Sequence, residues 1–232
     1  MKKGPDQKII DSWNKNVQPW ITAIEEHQIK SRIQLTNSAI INLIQEINPS
    51  SILDIGCGEG WLVRALHELG IDTFGIDVVP EFINHSNKIG IGQFKCIAYE
   101  DLLDAKFEKK FDLLVCNFSL LGKESVEQVF KSAPLLLKKG GSFVVQTVHP
   151  ITSCGEEPYK DGWRTGSWDG FNKQFSDPAP WFFRTIKGWK LLFKNNGFTL
   201  EKSDQYTSNI IEPKYCEMEK PGSIIFVGTL FS

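Results

Sequence analysis

Three glycines at alternate positions, Gly56, Gly58 and Gly60, separate a short apolar run, Ser51 to Ile55, from a helical pattern that begins at Trp61. A strand entering a helix through such a turn lets the backbone approach a ligand, because no Cβ stands in the way, and aims N–H groups at it. The chemistry this implies is the holding of a polar, nucleotide-like small molecule. Asp54 precedes the turn, and Asp77 ends the next apolar run. An acid at a strand end accepts both hydrogens of a ribose diol. His149 follows a later apolar run and titrates near neutral pH, which makes it the candidate general base. Cys57 and Cys116 have no companion base and read as small core side chains, with Cys57 near the ligand through its place in the turn.

Alternating strands and helices must position these groups. Strands are predicted at Ser51 to Ile55, Thr73 to Asp77, Gln93 to Ala98, Phe111 to Cys116 and Ser142 to Val148. Helices are predicted from Glu59 to Leu69, from Pro80 onward, and from Glu124 to Leu137, the last ending in Lys138-Lys139-Gly140-Gly141, where cations and glycine favour a helix C-terminus. This order means an α/β, Rossmann-like doubly wound sheet, mostly parallel, with helices on both faces. Ligands bind such sheets outside the carboxyl ends of the strands, so Gly56, Asp77, Tyr99, Asn117 and His149 share one edge. Residues 1–48 read as an N-terminal helical lead-in ending at Asn48-Pro49, with Trp13 and Trp20 on one face unless Pro19 breaks the helix. The main domain is residues 49–232. A helix from Thr185 to Asn195 precedes two strands, Phe198 to Tyr206 and Ser223 to Phe231, read as an antiparallel pair across a connection containing Pro213 and Pro221.

Composition narrows the class. The 232 residues are 41% hydrophobic and 23% charged, with a net charge of −2, which gives no electrostatic reason to expect nucleic acid. The five cysteines, Cys57, Cys96, Cys116, Cys154 and Cys216, form no CxxC and no metal-ligand spacing, so reduced thiols and no metal site are expected. No apolar run follows Met1-Lys2-Lys3 and none is long enough to cross a membrane, so a soluble, cytoplasmic protein is expected. Oligomeric state is left open.

Two ligands compete for the glycine turn: a nicotinamide or flavin dinucleotide, and S-adenosylmethionine. A dinucleotide fingerprint needs its third glycine where Trp61 stands, and an indole there opposes close packing of helix on strand. Leu53-Asp54-Ile55-Gly56-Cys57-Gly58-Glu59-Gly60, Gly75-Ile76-Asp77, Phe111-Asp112-Leu113-Leu114-Val115-Cys116-Asn117 and Leu136-Leu137-Lys138-Lys139-Gly140-Gly141-Ser142-Phe143 together resemble the class I S-adenosylmethionine-dependent methyltransferases. The likeness covers roughly residues 30 to 231 and is closest to their small-molecule, ubiquinone-biosynthesis-type branch. It implies a seven-stranded sheet whose last strand is antiparallel. It also implies that Arg32 takes the cofactor's carboxylate, the turn with Asp54 its amino-acid end, Asp77 the ribose and Val78 the adenine face. Tyr99 and Glu100 stand where the family reads the adenine edge, although Ala98 replaces the usual acid. Asn117 and Phe118 would lie beside the methyl group.

Residues 149–186 are rich in Gly, Pro and aromatic side chains and read as a substrate lid over the site. Tyr159, Arg164, Trp168 and Arg184, with Asp161, are its candidate contacts to a small-molecule acceptor. The expected activity is methyl transfer to an oxygen or nitrogen. The rivals are a non-catalytic subunit of the same fold and, behind it, an NAD-binding oxidoreductase.

Overall fold

The computed structural model describes residues 4–206 and 222–231. The connection that carries Pro213, Cys216 and Pro221, like Met1 to Lys3, lies outside the described residues. Seven strands form one sheet: β1 (Ser51–Ile55), β2 (Asp72–Asp77), β3 (Gln93–Cys96), β4 (Phe111–Asn117), β5 (Leu137–Val148), β8 (Phe198–Tyr206) and β9 (Ser223–Leu230), in the order β3-β2-β1-β4-β5-β9-β8. The first five pair in parallel, and β9 runs antiparallel between β5 and β8. Sequence order reverses direction between β1 and β4, and a crevice for ligands opens at such a switch point. A separate two-stranded ribbon pairs β6 (Gly162–Arg164) with β7 (Trp181–Phe183).

Both faces of the sheet are buried, which is why its strands are apolar runs rather than alternating ones. Successive side chains of a strand still point to opposite faces. Ile52, Leu113, Val115 and Val144 pack under α3 (Asn37–Ile47) and α4 (Trp61–Glu68), against Ile40, Ile44, Leu62 and Leu66. Leu53, Leu114, Phe143 and Phe226 pack on the other face, under Phe130 of α6 (Glu124–Leu136) and Trp189 and Phe193 of α8 (Ile186–Asn195).

Two local readings differ from the fold. Helix α6 ends at Leu136, and Leu137 already pairs with Phe111 in the sheet, so residues 138–141 bulge out of β5 rather than close a helix. Leu137 is 1% exposed, and burying it on the sheet outweighs the helix-ending signal of the glycines behind it. The lead-in holds three α-helices, α1 (Pro5–Lys15), α2 (Val17–Glu25) and α3, and its first break is at Asn16 rather than at Pro19. A wide turn over Arg32–Thr36 leads into α3. Helix α5 (Pro80–Ile89) and a short α7 (Pro150–Ser153) complete the set. Among the described residues no helix is long and apolar enough to cross a membrane.

Candidate functional site

The glycine turn closes the end of β1 by conformation. Gly56, Gly58 and Gly60 have φ of +77°, +55° and +83°, the left-handed region that disfavours side chains. A Cβ on Gly56 would stand 2.4 Å from the Tyr99 hydroxyl oxygen, and one on Gly60 2.6 Å from the Phe94 ring. The amides do not point outward as the sequence suggests. Gly56 N–H and Cys57 N–H both donate to the Ile76 carbonyl, and Gly58 N–H donates to Asp77 Oδ2 at 2.9 Å. The sheet claims these donors because an unpaired amide at the buried β1–β2 seam is costly.

Asp77 is 9% exposed; Oδ1 accepts from Val79 N–H and Oδ2 from Gly58 N–H, both at 2.9 Å. The carboxylate keeps acceptor capacity beyond these bonds. Burial raises its pKa, and the backbone N–H groups of Val79, Gly58 and Val78 oppose that. Asp54, directly beneath the turn, is pushed up to about 8, first by burial and then by the neighbouring carboxylates of Glu59 and Asp77. Glu59 is also raised by burial. Its Oε1 accepts from Trp61 N–H and pairs with Arg64, while Oε2 is buried without a partner. Arg32 is 8% exposed, with its guanidinium over the rings of Trp61 (4.9 Å) and Trp20 (5.4 Å). Its Nη2 has no partner, and burial lowers its pKa against the pull of Glu59 and Asp54. A buried guanidinium with an unpaired nitrogen is a receptor for a carboxylate.

One cleft at the carboxyl ends of the strands gathers these groups around about 960 Å³ of atom-free space, solvent at its mouth included. Arg32, Gly56, Cys57, Gly58, Asp77, Val78, Tyr99, Glu100, Asn117 and Phe118 all line it. Asp54, 2% exposed and with Oδ1 unpartnered, lies behind the wall. Tyr99 donates its hydroxyl to the Ser119 carbonyl at 3.2 Å, so it offers the cleft its ring. Phe118 sits at φ +55°, a strained conformation of the kind that persists at binding sites.

The remaining wall comes from residues the sequence reading did not place. Asp6, Ile9, Ile10 and Trp13 form one face of α1, spaced by the three- and four-residue steps of a helix, and line the cleft together with Leu121, Gly122 and Ser125. That apolar spacing is visible in the sequence, but where the helix docks is not.

The candidate base and the candidate lid contacts fall outside the cleft. His149 is 0% exposed, and its Nδ1 accepts from Ile151 N–H at 3.3 Å, capping α7. Burial lowers its pKa, so the ring is neutral at pH 7. This is a capping role, and a base must reach the proton it takes. His149→Ala is therefore expected to cost about 1 kcal/mol or more of stability through the lost cap. In the same variant, affinity for a nucleotide-like ligand of the cleft should stay within about twofold. Thermal melts and calorimetric binding check both; a collapse of binding in a folded variant would return His149 to the site.

The candidate lid residues are spent on contacts within their own loop and with its neighbours. Tyr159 accepts from Ile186 N–H at its hydroxyl, and Asp161 accepts from Thr185 N–H and its hydroxyl. Arg164 pairs with Glu157 and donates to the carbonyls of Pro158 and Lys160. Arg184, 5% exposed, donates to the carbonyls of Gly122 and Lys123. Trp168 donates to the Ser176 carbonyl and sets its ring edge-on to Trp13 at 5.6 Å. The aromatic loop thus buttresses α1, and α1 walls the cleft. Asn16 ties the two together: it donates to the Ser176 carbonyl at 2.8 Å and accepts from Ser176 N–H at 2.9 Å. Among the described residues no three His, Cys, Asp or Glu side chains converge to hold a metal ion.

Residues 27–203 match the family model described as a methyltransferase domain. The ubiquinone biosynthesis O-methyltransferase of Chromobacterium violaceum is 26% identical over 62% of this chain and 64% of its own length. The chain thus spans less than two thirds of that relative. An uncharacterised methyltransferase of Schizosaccharomyces pombe is 29% identical over 74% of this chain and 67% of its own. In fold, the magnesium protoporphyrin IX methyltransferase of Synechocystis, solved with bound SAH, superposes with a TM-score of 0.65 at 14% identity, covering 97% of this chain and 99% of its own.

Proposed function

The chain belongs to the methyltransferase-domain family, of the class I S-adenosylmethionine-dependent kind, and on that premise we propose that it carries a methyl group from S-adenosylmethionine to an oxygen or nitrogen of a small molecule. The observation that carries this reading is the pairing, in one cleft, of a buried carboxylate with acceptor capacity to spare and a buried guanidinium with an unpaired nitrogen. Asp77 would hold the ribose diol and Arg32 the carboxylate. The buried acids Asp54 and Glu59 favour the positive amino-acid end, and Val78 with the Tyr99 ring would flank the adenine. The cofactor, when bound, supplies an electrophilic methyl group and its own leaving group. The protein's task is then alignment and exclusion of water, and alignment alone can supply about 7–11 kcal/mol. Ile9, Ile10, Trp13 and Leu121 give the dry wall against which an acceptor lies. A net charge of −2 favours a small acceptor over nucleic acid.

S-adenosylhomocysteine at about 100 times its Kd is expected to stabilise the protein by about 2.7 kcal/mol. For a chain of this size that is a rise in Tm of roughly 5–10 °C. NADH at the same concentration is expected to leave Tm unchanged. A shift with NADH and none with S-adenosylhomocysteine would reverse the assignment.

A further inference from the structure

Apart from the groups given above to the cofactor, the ionisable side chain among the described residues lining the cleft is the Asp6 carboxylate, and it is held in place from outside α1. Oδ1 accepts from Lys123 N–H at 3.0 Å and Oδ2 from Ser125 N–H at 2.8 Å, at the N-terminus of α6. A carboxylate oxygen accepts more than one hydrogen bond, so each retains capacity toward the cleft.

Among the described residues, none that lines the cleft beside Asp6 is cationic. Arg32, the one basic residue among the described residues lining the cleft, stacks on Trp20 and Trp61 and feels the charges of Glu59 and Asp54. Arg184 feels the charge of Asp6, but it lies behind the Gly122–Lys123 backbone, bound to its carbonyls and stacked on Phe182 and Trp189. Lys123 turns its ammonium to Glu124 and the Phe182 ring. Neither lines the cleft.

We propose that Asp6 selects the methyl acceptor by charge: the acceptor is a neutral or cationic molecule with an apolar, ring-like body, whose O–H or N–H donates to the Asp6 carboxylate, and anionic acceptors are rejected. The apolar body packs on Ile9, Ile10, Trp13 and Leu121, and an acceptor anion would lie beside a fixed carboxylate. Asp6 acts as a specificity-determining residue, placed by α1 and braced through the Arg184-bound loop. The proposal rests on the methyl-transfer reading, because the rest of the cleft is assigned to the cofactor.

The test uses three probes that share one aromatic diol and differ in charge: dopamine, 4-methylcatechol and 3,4-dihydroxybenzoate. Their binding to the protein saturated with S-adenosylhomocysteine is measured by calorimetry at pH 7. Dopamine and 4-methylcatechol are expected to bind at least tenfold more tightly than 3,4-dihydroxybenzoate. In Asp6→Asn, whose amide oxygen can still accept from α6, the gap is expected to shrink to under threefold. A Tm shift with S-adenosylhomocysteine verifies that the variant is folded. Equal or tighter binding of 3,4-dihydroxybenzoate to the wild type would overturn the proposal, since it would mean that an anion replaces Asp6 on the α6 terminus. An unchanged gap in the variant, or no binding by any probe while S-adenosylhomocysteine binds, would also overturn it. If S-adenosylhomocysteine itself fails to bind, the methyl-transfer reading falls first and this proposal with it.

Discussion

Asp77→Ala is expected to weaken S-adenosylhomocysteine binding by a hundredfold or more. The carboxylate is buried, and beyond its bonds to Gly58 and Val79 N–H it is the acceptor available to a ribose diol at this strand end. Two hydrogen bonds to a charged group are worth about 1.5–3 kcal/mol each. Together that is about 3–6 kcal/mol, or roughly two to four powers of ten in Kd. The substitution also removes the acceptor of Gly58 N–H, so the turn itself loosens. Asp77→Asn separates the two effects: it keeps an acceptor for the backbone, loses the charge, and should fall between the wild type and Ala. Calorimetric Kd values for the three proteins decide the matter. An alanine variant that binds within threefold of wild type would remove Asp77 from the site.

The second large effect is a pH dependence carried by Asp54. Its folded pKa, about 8, lies far above the 3.8 of an ordinary aspartate, because burial, Glu59 and Asp77 all oppose ionisation. Between those two values the folded protein binds more protons than the unfolded chain, so stability falls as pH rises. Below pH 4 there is no such penalty, and above pH 8 it is complete. Across pH 6 to 8 the loss is about 2 kcal/mol. That corresponds to a drop in Tm of roughly 4–8 °C for a chain of this size. Asp54→Asn removes the titrating group, so its Tm should decline less over the same range, with the difference between the two curves assigned to Asp54. S-adenosylmethionine brings positive charge beside the acids, which favours ionised Asp54. Binding at pH 7 should therefore release a proton, seen as a dependence of the binding enthalpy on the buffer's ionisation enthalpy. Parallel melting curves for wild type and Asp54→Asn would show that the carboxyl is ionised without penalty.

These two residues were readable in the sequence because they belong to a local pattern. Asp54, Gly56, Gly58 and Asp77 lie at the ends of short apolar runs, and a parallel sheet turns strand ends into neighbours whatever the connecting helices do. Glu59 stands inside the same motif, and an acid between two of its glycines was the available signal for its burial. The direction of the turn amides was not readable. Whether Gly56 N–H meets a ligand or the Ile76 carbonyl depends on the pairing of β1 with β2. His149 shows the limit of the strand-end rule: it directly follows β5, yet its side chain caps α7.

The aromatic loop was legible as a unit, and its effect is one step removed from the one its composition suggested. Trp168 meets Trp13, Ser176 and Asp177 hold Asn16 and Ser12, and it is α1 that reaches the cleft. The sequence by itself determined the α/β class, the strand order's parallel core, the glycine turn and the acid at Asp77. Each of these follows from short-range spacing and from the burial of apolar runs, which any one chain must satisfy locally. The resemblance pointed to Arg32, but only the tertiary structure decided that Asp6, on a helix well before the first strand, lines the cleft at the strand ends. Contacts between residues more than a hundred positions apart, such as Asp6 with Lys123 and Ser125, are set by how whole helices pack, and no local spacing encodes that.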